Sequence, residues 1–199
     1  MRSAEFFFDL SSPYSYLAST QLPGIAARTG ASFVWRPMVL GAVFKATGNA
    51  TPASVMAKAA YMGMDLDRWA RHYGVGFRFS SHFPVNALSA MRLIVVAKRH
   101  DKVIETASAA FRAVWVENRD VTKPEELAAI ATSVGLPADS AAAISEQAIK
   151  DELRANTDDA VTKGVFGAPA IVIGNDLYWG NDRLHFVEAA LSAASGPGT

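Results

Sequence analysis

FFFDLSSPYSYLA, residues 6–18, joins a short hydrophobic run to a Ser-Pro-Tyr-Ser tetrapeptide and then to an apolar-periodic segment. Three consecutive phenylalanines bounded by Asp9 are typical of a buried strand, which we predict from about Glu5 to Asp9. Pro13 suits the first turn of a helix, and the apolar side chains after it keep helical spacing. The stretch therefore predicts a strand followed at once by a helix, with Ser12 as the N-cap between them.

The sequence downstream changes character twice. Residues 31–40, ASFVWRPMVL, predict a second strand that Pro37 ends, and Pro23 should bend or restart the helix before it. Residues 41–54, rich in Gly, Thr and Ala, predict a loop with one helical turn. Ala-rich segments with helical spacing then continue to about Lys163.

Cap signals divide this Ala-rich region into several helices. Asp65 and the residue before Pro124 are predicted helix starts, and glycines such as Gly74 are predicted helix ends. After Gly164, APAIVIG and NDLYWG predict two short strands, and NDRLHFVEAALSAAS predicts a final amphipathic helix.

Composition alone indicates only α/β or α+β, but the order of elements is more specific. A β-α-β unit, a helical block and a β-β-α unit follow one another, which is the order of a thioredoxin-like domain that contains an inserted helical domain. We therefore predict an α/β fold in which residues 1–43 and 164–199 form the thioredoxin-like domain. Residues 44–163 are then the inserted all-helical domain.

Charge and composition exclude several classes of function. The chain has 19 basic and 19 acidic residues and no Lys/Arg-rich run, so we predict no binding to nucleic acid or to a membrane surface. No apolar stretch approaches the roughly 20 residues that span a bilayer. The first ten residues are unlike a secretory signal, which leads us to expect a cytoplasmic location.

Cysteine is absent, which excludes disulfides, thiolate metal sites and dithiol oxidoreductase chemistry. The four histidines have no metal-ligand spacing, so we predict no metal site. The sequence also has no G-x-S-x-G, Walker A or G-x-G-x-x-G motif. Any sulfur chemistry would need a thiol from another molecule.

Taken alone, Ser12 is explained as a simple helix cap. Other segments of the sequence indicate that it also has a functional role. Thioredoxin-like folds carry a cysteine at the start of the first helix, where this chain has Ser12, and a cis-proline before the third strand, where it has Pro169. The chain resembles the family of 2-hydroxychromene-2-carboxylate isomerases and kappa-class glutathione transferases over essentially its whole length, and the isomerases more closely. The segments that carry the resemblance are FDLSSPYSYLA at 8–18, FKATGN at 44–49, FPVNALSAMR at 83–92, VFGAPAIVIG at 165–174 and WGNDRL at 179–184.

The resemblance implies that glutathione is the cofactor and that Ser12 is catalytic. A thiol held at a helix N-terminus has a lowered pKa, because N–H donors and the helix dipole favour the thiolate. Ser12 would donate a hydrogen bond to that thiolate, whereas a cysteine there would form a mixed disulfide with it. Ser15 occupies the place of the second cysteine and has no assigned role.

The resemblance also implies the other cofactor contacts. The backbone of Ala168 beside cis-Pro169 would pair with the cysteinyl unit of glutathione. Asn49 is a further implied contact. The γ-glutamyl end would lie at the start of the last helix, against Trp179, Gly180, Asn181 and Asp182. From the residues alone, the alternative interpretations are that Asn181 or Asp182 caps the helix and that Trp179 is a core side chain.

Lys45, Phe83 and Asn86 are the implied substrate contacts. Lys45 would supply a cation for a carboxylate, and Phe83 an apolar wall. From the residues alone, a solvated lysine, a core phenylalanine and a capping asparagine are the default interpretations.

The resemblance implies a homodimeric enzyme that converts 2-hydroxychromene-2-carboxylate, a small aromatic carboxylate, to trans-o-hydroxybenzylidenepyruvate in aromatic catabolism of the naphthalene type. Glutathione would add to the substrate and leave unchanged. Two alternatives remain open. One is a kappa-class glutathione transferase or peroxidase, which consumes glutathione, and the other is a non-catalytic thioredoxin-like binding module.

Overall fold

The computed structural model describes residues 2–193. Its strands form one mixed sheet in the order β2-β1-β3-β4, in which β1 is parallel to β2 and antiparallel to β3, and β3 is antiparallel to β4. The strands are β1 (Ser3–Phe8), β2 (Ser32–Pro37), β3 (Ala170–Ile173) and β4 (Asp176–Trp179). The predicted order of strands along the chain, with the α/β class, is confirmed.

The helices between and after these strands follow the predicted pattern with three corrections. They are α1 (Pro13–Thr29), α2 (Leu40–Thr47), α3 (Met56–Tyr73), α4 (Leu88–Ala97), α5 (Val103–Trp115), α6 (Pro124–Ser133), α7 (Ser140–Ala143), α8 (Gln147–Thr162) and α9 (Leu184–Ala193). Gly74 adopts a left-handed conformation at the end of α3, as a C-cap glycine should.

The three corrections have identifiable causes. Pro23 lies inside an uninterrupted α1, because Leu22 and Ile25 beside it are buried in the core and hold the helix in place. The predicted loop with one turn contains the eight-residue α2, whose first N–H is bonded to a carboxylate described below. Asp65 lies inside α3 and does not start a helix.

The core shows how the sheet and the helical block are joined. Alternation along β1 sends Phe6 and Phe8 to one face and Phe7 to the other, and all three are fully buried. The Phe8 ring lies 5.6 Å from the ring of Phe111 on α5. One continuous hydrophobic cluster therefore includes residues of the sheet, α1 and the helical block.

The predicted division into two domains stays a prediction. Its first boundary, between residues 43 and 44, falls inside α2. Residues 194–199 of the predicted thioredoxin-like domain, with the last two residues of the predicted final helix, lie outside the described part of the chain.

Candidate functional site

Ser12 lies where the start of α1 meets the loop before β3. Its Oγ accepts a hydrogen bond from the Ser15 N–H at 3.1 Å, so the predicted N-cap is confirmed. The same hydroxyl donates to the Ala168 carbonyl at 3.1 Å. Its main-chain N–H donates to the Asp9 carbonyl at 3.0 Å. The hydroxyl is thus held between a helix N-terminus and the loop that carries Pro169.

The start of α1 offers donors to an anion. Pro13 has no N–H, and the next N–H, that of Tyr14, donates to no group among residues 2–193. The positive end of the dipole of this 17-residue helix points to the same place. An anionic group bound beside Ser12 would therefore meet the Tyr14 N–H, the Ser12 hydroxyl and the helix dipole.

Asp9 is a candidate that sequence reasoning treated only as the end of a strand. Its carboxylate is 5% exposed and accepts the N–H groups of Ser11 and Leu40, each at 2.8 Å. Because Leu40 begins α2, Asp9 ties that helix to the turn before Ser12. Burial raises the pKa of Asp9 above its ordinary value of 3.8, and the two N–H donors oppose this in part.

The raised pKa of Asp9 predicts a pH dependence of stability. A carboxyl of this kind binds its proton more tightly in the native state than in the unfolded chain, which stabilises the fold below pH 3.8. That stabilisation is lost as the pH rises through the raised pKa. We expect the unfolding free energy of the wild type, minus that of Asp9→Asn, to fall as the pH rises from 3.8 through the raised pKa of Asp9. At higher pH this difference should level off. Urea unfolding of both proteins over a pH series measures the difference, and a constant or rising difference would contradict the prediction.

Two buried side chains of the helical block hold the turn before Ser12. The indole N–H of Trp115, on α5, donates to the Leu10 carbonyl at 2.9 Å. The Leu10 N–H lies 3.4 Å from the sulfur of Met91, on α4. Both side chains are at most 1% exposed. The inserted helices therefore support the candidate site directly, which no local sequence signal indicates.

The loop before β3 brings four predicted cofactor contacts together. The Ala168–Pro169 peptide is cis, as predicted. The Pro169 carbonyl accepts the Gly180 N–H at 3.0 Å, which joins this loop to the end of β4. The side-chain amide of Asn49 donates to the Phe166 carbonyl at 2.8 Å, so Asn49 fastens the segment after α2 to the same loop.

Trp179 and Gly180 shape the outer wall of the site. Trp179 is 47% exposed, and its ring packs 5.0 Å from that of Phe166, so it is a surface side chain and not a core one. A Cβ on Gly167 would lie 2.6 Å from the indole nitrogen of Trp179. Gly180 has φ of +101°, and a Cβ there would overlap the Asp182 carboxylate. The positive φ of Gly180 favours glycine, whereas a side chain on Gly167 would have to displace the Trp179 ring.

Asn181 and Asp182 lie in a 3-10 turn, Asn181–Arg183, directly before α9. Neither side chain caps a helix within residues 2–193, so the capping interpretation is not supported. Asn181 is 3% exposed, its carbonyl accepts the Tyr73 hydroxyl at 2.8 Å, and its side-chain nitrogen has no partner in the described chain. Asp182 is partly exposed and pairs with Arg183. A buried amide without a partner is the kind of group that a ligand satisfies.

Tyr14, inside the tetrapeptide, contacts α3. Its hydroxyl donates to the Asp65 carboxylate at 2.9 Å. Burial, followed by the hydrogen bond to Asp65, raises the pKa of Tyr14. The ring is therefore held as a neutral phenol beside the Ser12 turn, and Asp65 is a further residue of the site's surroundings that was missed.

A cavity of about 540 Å³ opens beside this turn. Phe83 and Asn86 line it, so the structure brings both predicted substrate contacts to the site. Lys45 is exposed and does not line the cavity, although it lies one helical turn beyond Gly41, which does. Asp9 is the sole charged residue among the described residues lining the cavity, and most of the others are apolar.

Residues 2–193 present neither a metal site nor a membrane-spanning helix. They contain no group of three or more His, Asp or Glu side chains arranged to hold a metal ion. No helix in that range has the length and apolar character needed to cross a bilayer.

The family profile for the DSBA-like thioredoxin domain matches residues 4–192. This chain belongs to that family. Among its relatives, a 2-hydroxychromene-2-carboxylate isomerase of Sphingobium xenophagum is 35% identical over 96% of this chain and 98% of its own length. The human glutathione S-transferase kappa 1 is 30% identical over 94% and 89% of the two chains. The resemblance seen in the sequence is confirmed.

The DSBA-like thioredoxin fold is also found in a solved 2-hydroxychromene-2-carboxylate isomerase. That structure superposes on this chain with a TM-score of 0.88 at 28% sequence identity, and the match covers 96% of this chain and 95% of the isomerase. The thioredoxin-like fold with helices inserted between its two β units is therefore confirmed. The relatives in both groups, the isomerases and the kappa transferases, are named as enzymes. They indicate that this chain is an enzyme of the isomerase or kappa-transferase type.

Proposed function

We propose that this protein is a cytoplasmic, homodimeric, glutathione-dependent isomerase that converts 2-hydroxychromene-2-carboxylate to trans-o-hydroxybenzylidenepyruvate in aromatic catabolism. The observation that carries the proposal is the position of the Ser12 hydroxyl in a chain without cysteine. It lies at the N-terminus of α1 and 3.1 Å from the Ala168 carbonyl, beside cis-Pro169. The 35% identity to the Sphingobium xenophagum isomerase, against 30% to the human kappa 1 transferase, favours isomerisation.

Glutathione fits the residues around Ser12. Bound there, it supplies the thiol that adds to the substrate carbon and later leaves it. The Ser12 hydroxyl would turn its one proton from the Ala168 carbonyl to the thiolate sulfur. The Tyr14 N–H, which has no acceptor within residues 2–193, would donate to the same sulfur, and the α1 dipole would lower the pKa of the thiol. The main chain of Ala168 would pair with the cysteinyl unit.

The γ-glutamyl end of glutathione suits the turn before α9. The Asn181 amide nitrogen, buried and without a partner in the described chain, would donate to a carboxylate. Asp182 would accept from an ammonium group. Gly180 keeps the space beside Asp182 free of a side chain, and the exposed Trp179 ring would cover the bound peptide.

The cavity beside the turn suits the substrate's aromatic rings. Its largely apolar lining, with Phe83 as a wall, favours a flat hydrophobic group, and the Asn86 amide would orient an oxygen of that group. The buried Asp9 carboxylate disfavours an anion deep in the cavity. The substrate carboxylate would therefore point outward, toward Lys45 at the rim.

The proposal is tested by removing glutathione. Protein freed of glutathione by dialysis should convert the chromene no faster than the enzyme-free reaction, and added glutathione should restore turnover. S-Methylglutathione, which has no free thiol, should bind without restoring it. Equal rates with and without glutathione would contradict the mechanism.

A kappa-type transferase is the second candidate, favoured by the 30% identity to the human kappa enzyme. It would consume glutathione, whereas the isomerase returns it. Free thiol measured during many turnovers of the chromene should stay constant if the protein is an isomerase. Loss of one thiol per product would support the transferase instead.

A further inference from the structure

Helix α3 has a long outward surface with little packed against it. Of its 18 residues, three are buried, namely Met62, Leu66 and Ala70, and none of them lies among the first six. The outward surface of the first half carries exposed apolar side chains, with Met56 88% and Met64 53% exposed. Exposed apolar patches of this kind mark interaction surfaces more often than isolated exposed residues do.

The side chains between these methionines suit close contact with another helix. The sequence from 56 to 64 is MAKAAYMGM, in which Lys58 is the sole charged residue. Ala57 and Ala60 are exposed on the same surface as Met64 and are small enough for two helices to approach closely. We call the exposed surface formed by Met56, Ala57, Ala60 and Met64 the α3 face.

Charges at the edge of the α3 face are complementary to each other. Lys58 and Asp65 are seven residues apart, which is two helical turns, so they lie on the same side of α3. Neither forms an ion pair within residues 2–193. If two copies of α3 run antiparallel about a two-fold axis centred between these residues, each Lys58 faces the other copy's Asp65. A surface that complements itself in this way is what a two-fold dimer requires.

We propose that the α3 face binds a second copy of this chain, with the two α3 helices antiparallel and Lys58 of each copy paired with Asp65 of the other. This inference rests on the proposed homodimer and names its surface. Because Asp65 accepts the Tyr14 hydroxyl at 2.9 Å, the contact would reach the Ser-Pro-Tyr-Ser turn of each copy. Dimerisation and the candidate site would then be physically linked.

Sedimentation equilibrium of the full chain tests the surface. Met64→Glu should raise the dimer dissociation constant about a hundredfold or more, because it buries an unpaired charge in the contact. The matched control is Phe186→Glu on α9, where the side chain is 54% exposed and lies outside the α3 face. That variant should dimerise like the wild type. Circular dichroism should show that both variants are folded.

A charge swap tests the pairing. Lys58→Glu and Asp65→Lys should each weaken the dimer, and the double variant should recover most of the lost affinity. A wild-type dimer that is unaffected by Met64→Glu would overturn the α3 face and leave the homodimer standing. Weakening by both single variants without recovery in the double would overturn the antiparallel pairing. A wild type that is monomeric throughout would overturn the proposed homodimer itself.

Discussion

Ser12→Ala is expected to lower kcat/KM for the glutathione-dependent reaction by about 100- to 1,000-fold, the usual effect of removing one donor to a developing or bound anion. The variant loses the hydroxyl that is placed at the start of α1 and bonded to the Ala168 carbonyl. Steady-state kinetics with saturating glutathione measure the loss. The pKa of the bound thiol, followed by thiolate absorbance over a pH series, should rise in the same variant.

The helix cap and the catalytic role of Ser12 are separable. Loss of the cap alone costs about 1 kcal/mol of stability. Ser12→Asp keeps a capping acceptor but sets a negative charge beside the thiolate, so it should be stable and nearly inactive. Ser15→Ala is the matched control, because the Ser15 hydroxyl is buried and has no partner in the described chain. Near wild-type activity in both Ser12 variants would show that Ser12 is a cap and nothing more.

Trp115→Ala is expected to lower the free energy of unfolding by about 3–5 kcal/mol, the range for removing a fully buried aromatic side chain. Trp115 is completely buried, and its ring packs against those of Phe77 and Phe79 at about 6 Å. The substitution also leaves the Leu10 carbonyl without its indole donor. Urea unfolding followed by circular dichroism measures the change.

Trp115→Phe separates the packing of the ring from its hydrogen bond. It retains most of the apolar volume but removes the donor to Leu10, which should cost about 1–3 kcal/mol. Trp69→Phe is the control, because the Trp69 indole N–H bonds to nothing within residues 2–193 and its ring is partly exposed. If the two Phe variants are equally stable, the bond from Trp115 does not support the turn before Ser12.

Much of the candidate site was predictable because its signals are local or stand in a fixed order. A Ser-Pro pair after a hydrophobic strand predicts an N-cap, and the structure has Ser12 there. The cis bond at Pro169 was implied by the resemblance to thioredoxin-like folds, which carry a cis-proline before the third strand, and the structure has it. The chemical roles of Ser12, Asn181 and Asp182 stay predictions, and the Ser12 variants above test the first of them.

The site residues that were missed act through contacts far apart in sequence. In the sequence, Asp9 looks like an ordinary strand end. Only the structure shows that its carboxylate accepts the Leu40 N–H. Trp115 and Met91 look like ordinary core residues of amphipathic helices. Lys45 lies outside the cavity lining, so its contact with the substrate stays a prediction.

The sequence by itself determined the order of strands and helices, the N-cap at Ser12 and the lack of any thiol in the chain. These follow from side-chain periodicity, cap chemistry and composition, all of which are local. Only the tertiary structure decided that helices α4 and α5 hold the turn before Ser12, that Asp9 joins this turn to α2, and that the first half of α3 is left uncovered. Such features depend on which segments meet in space, and that depends on the packing of the whole core.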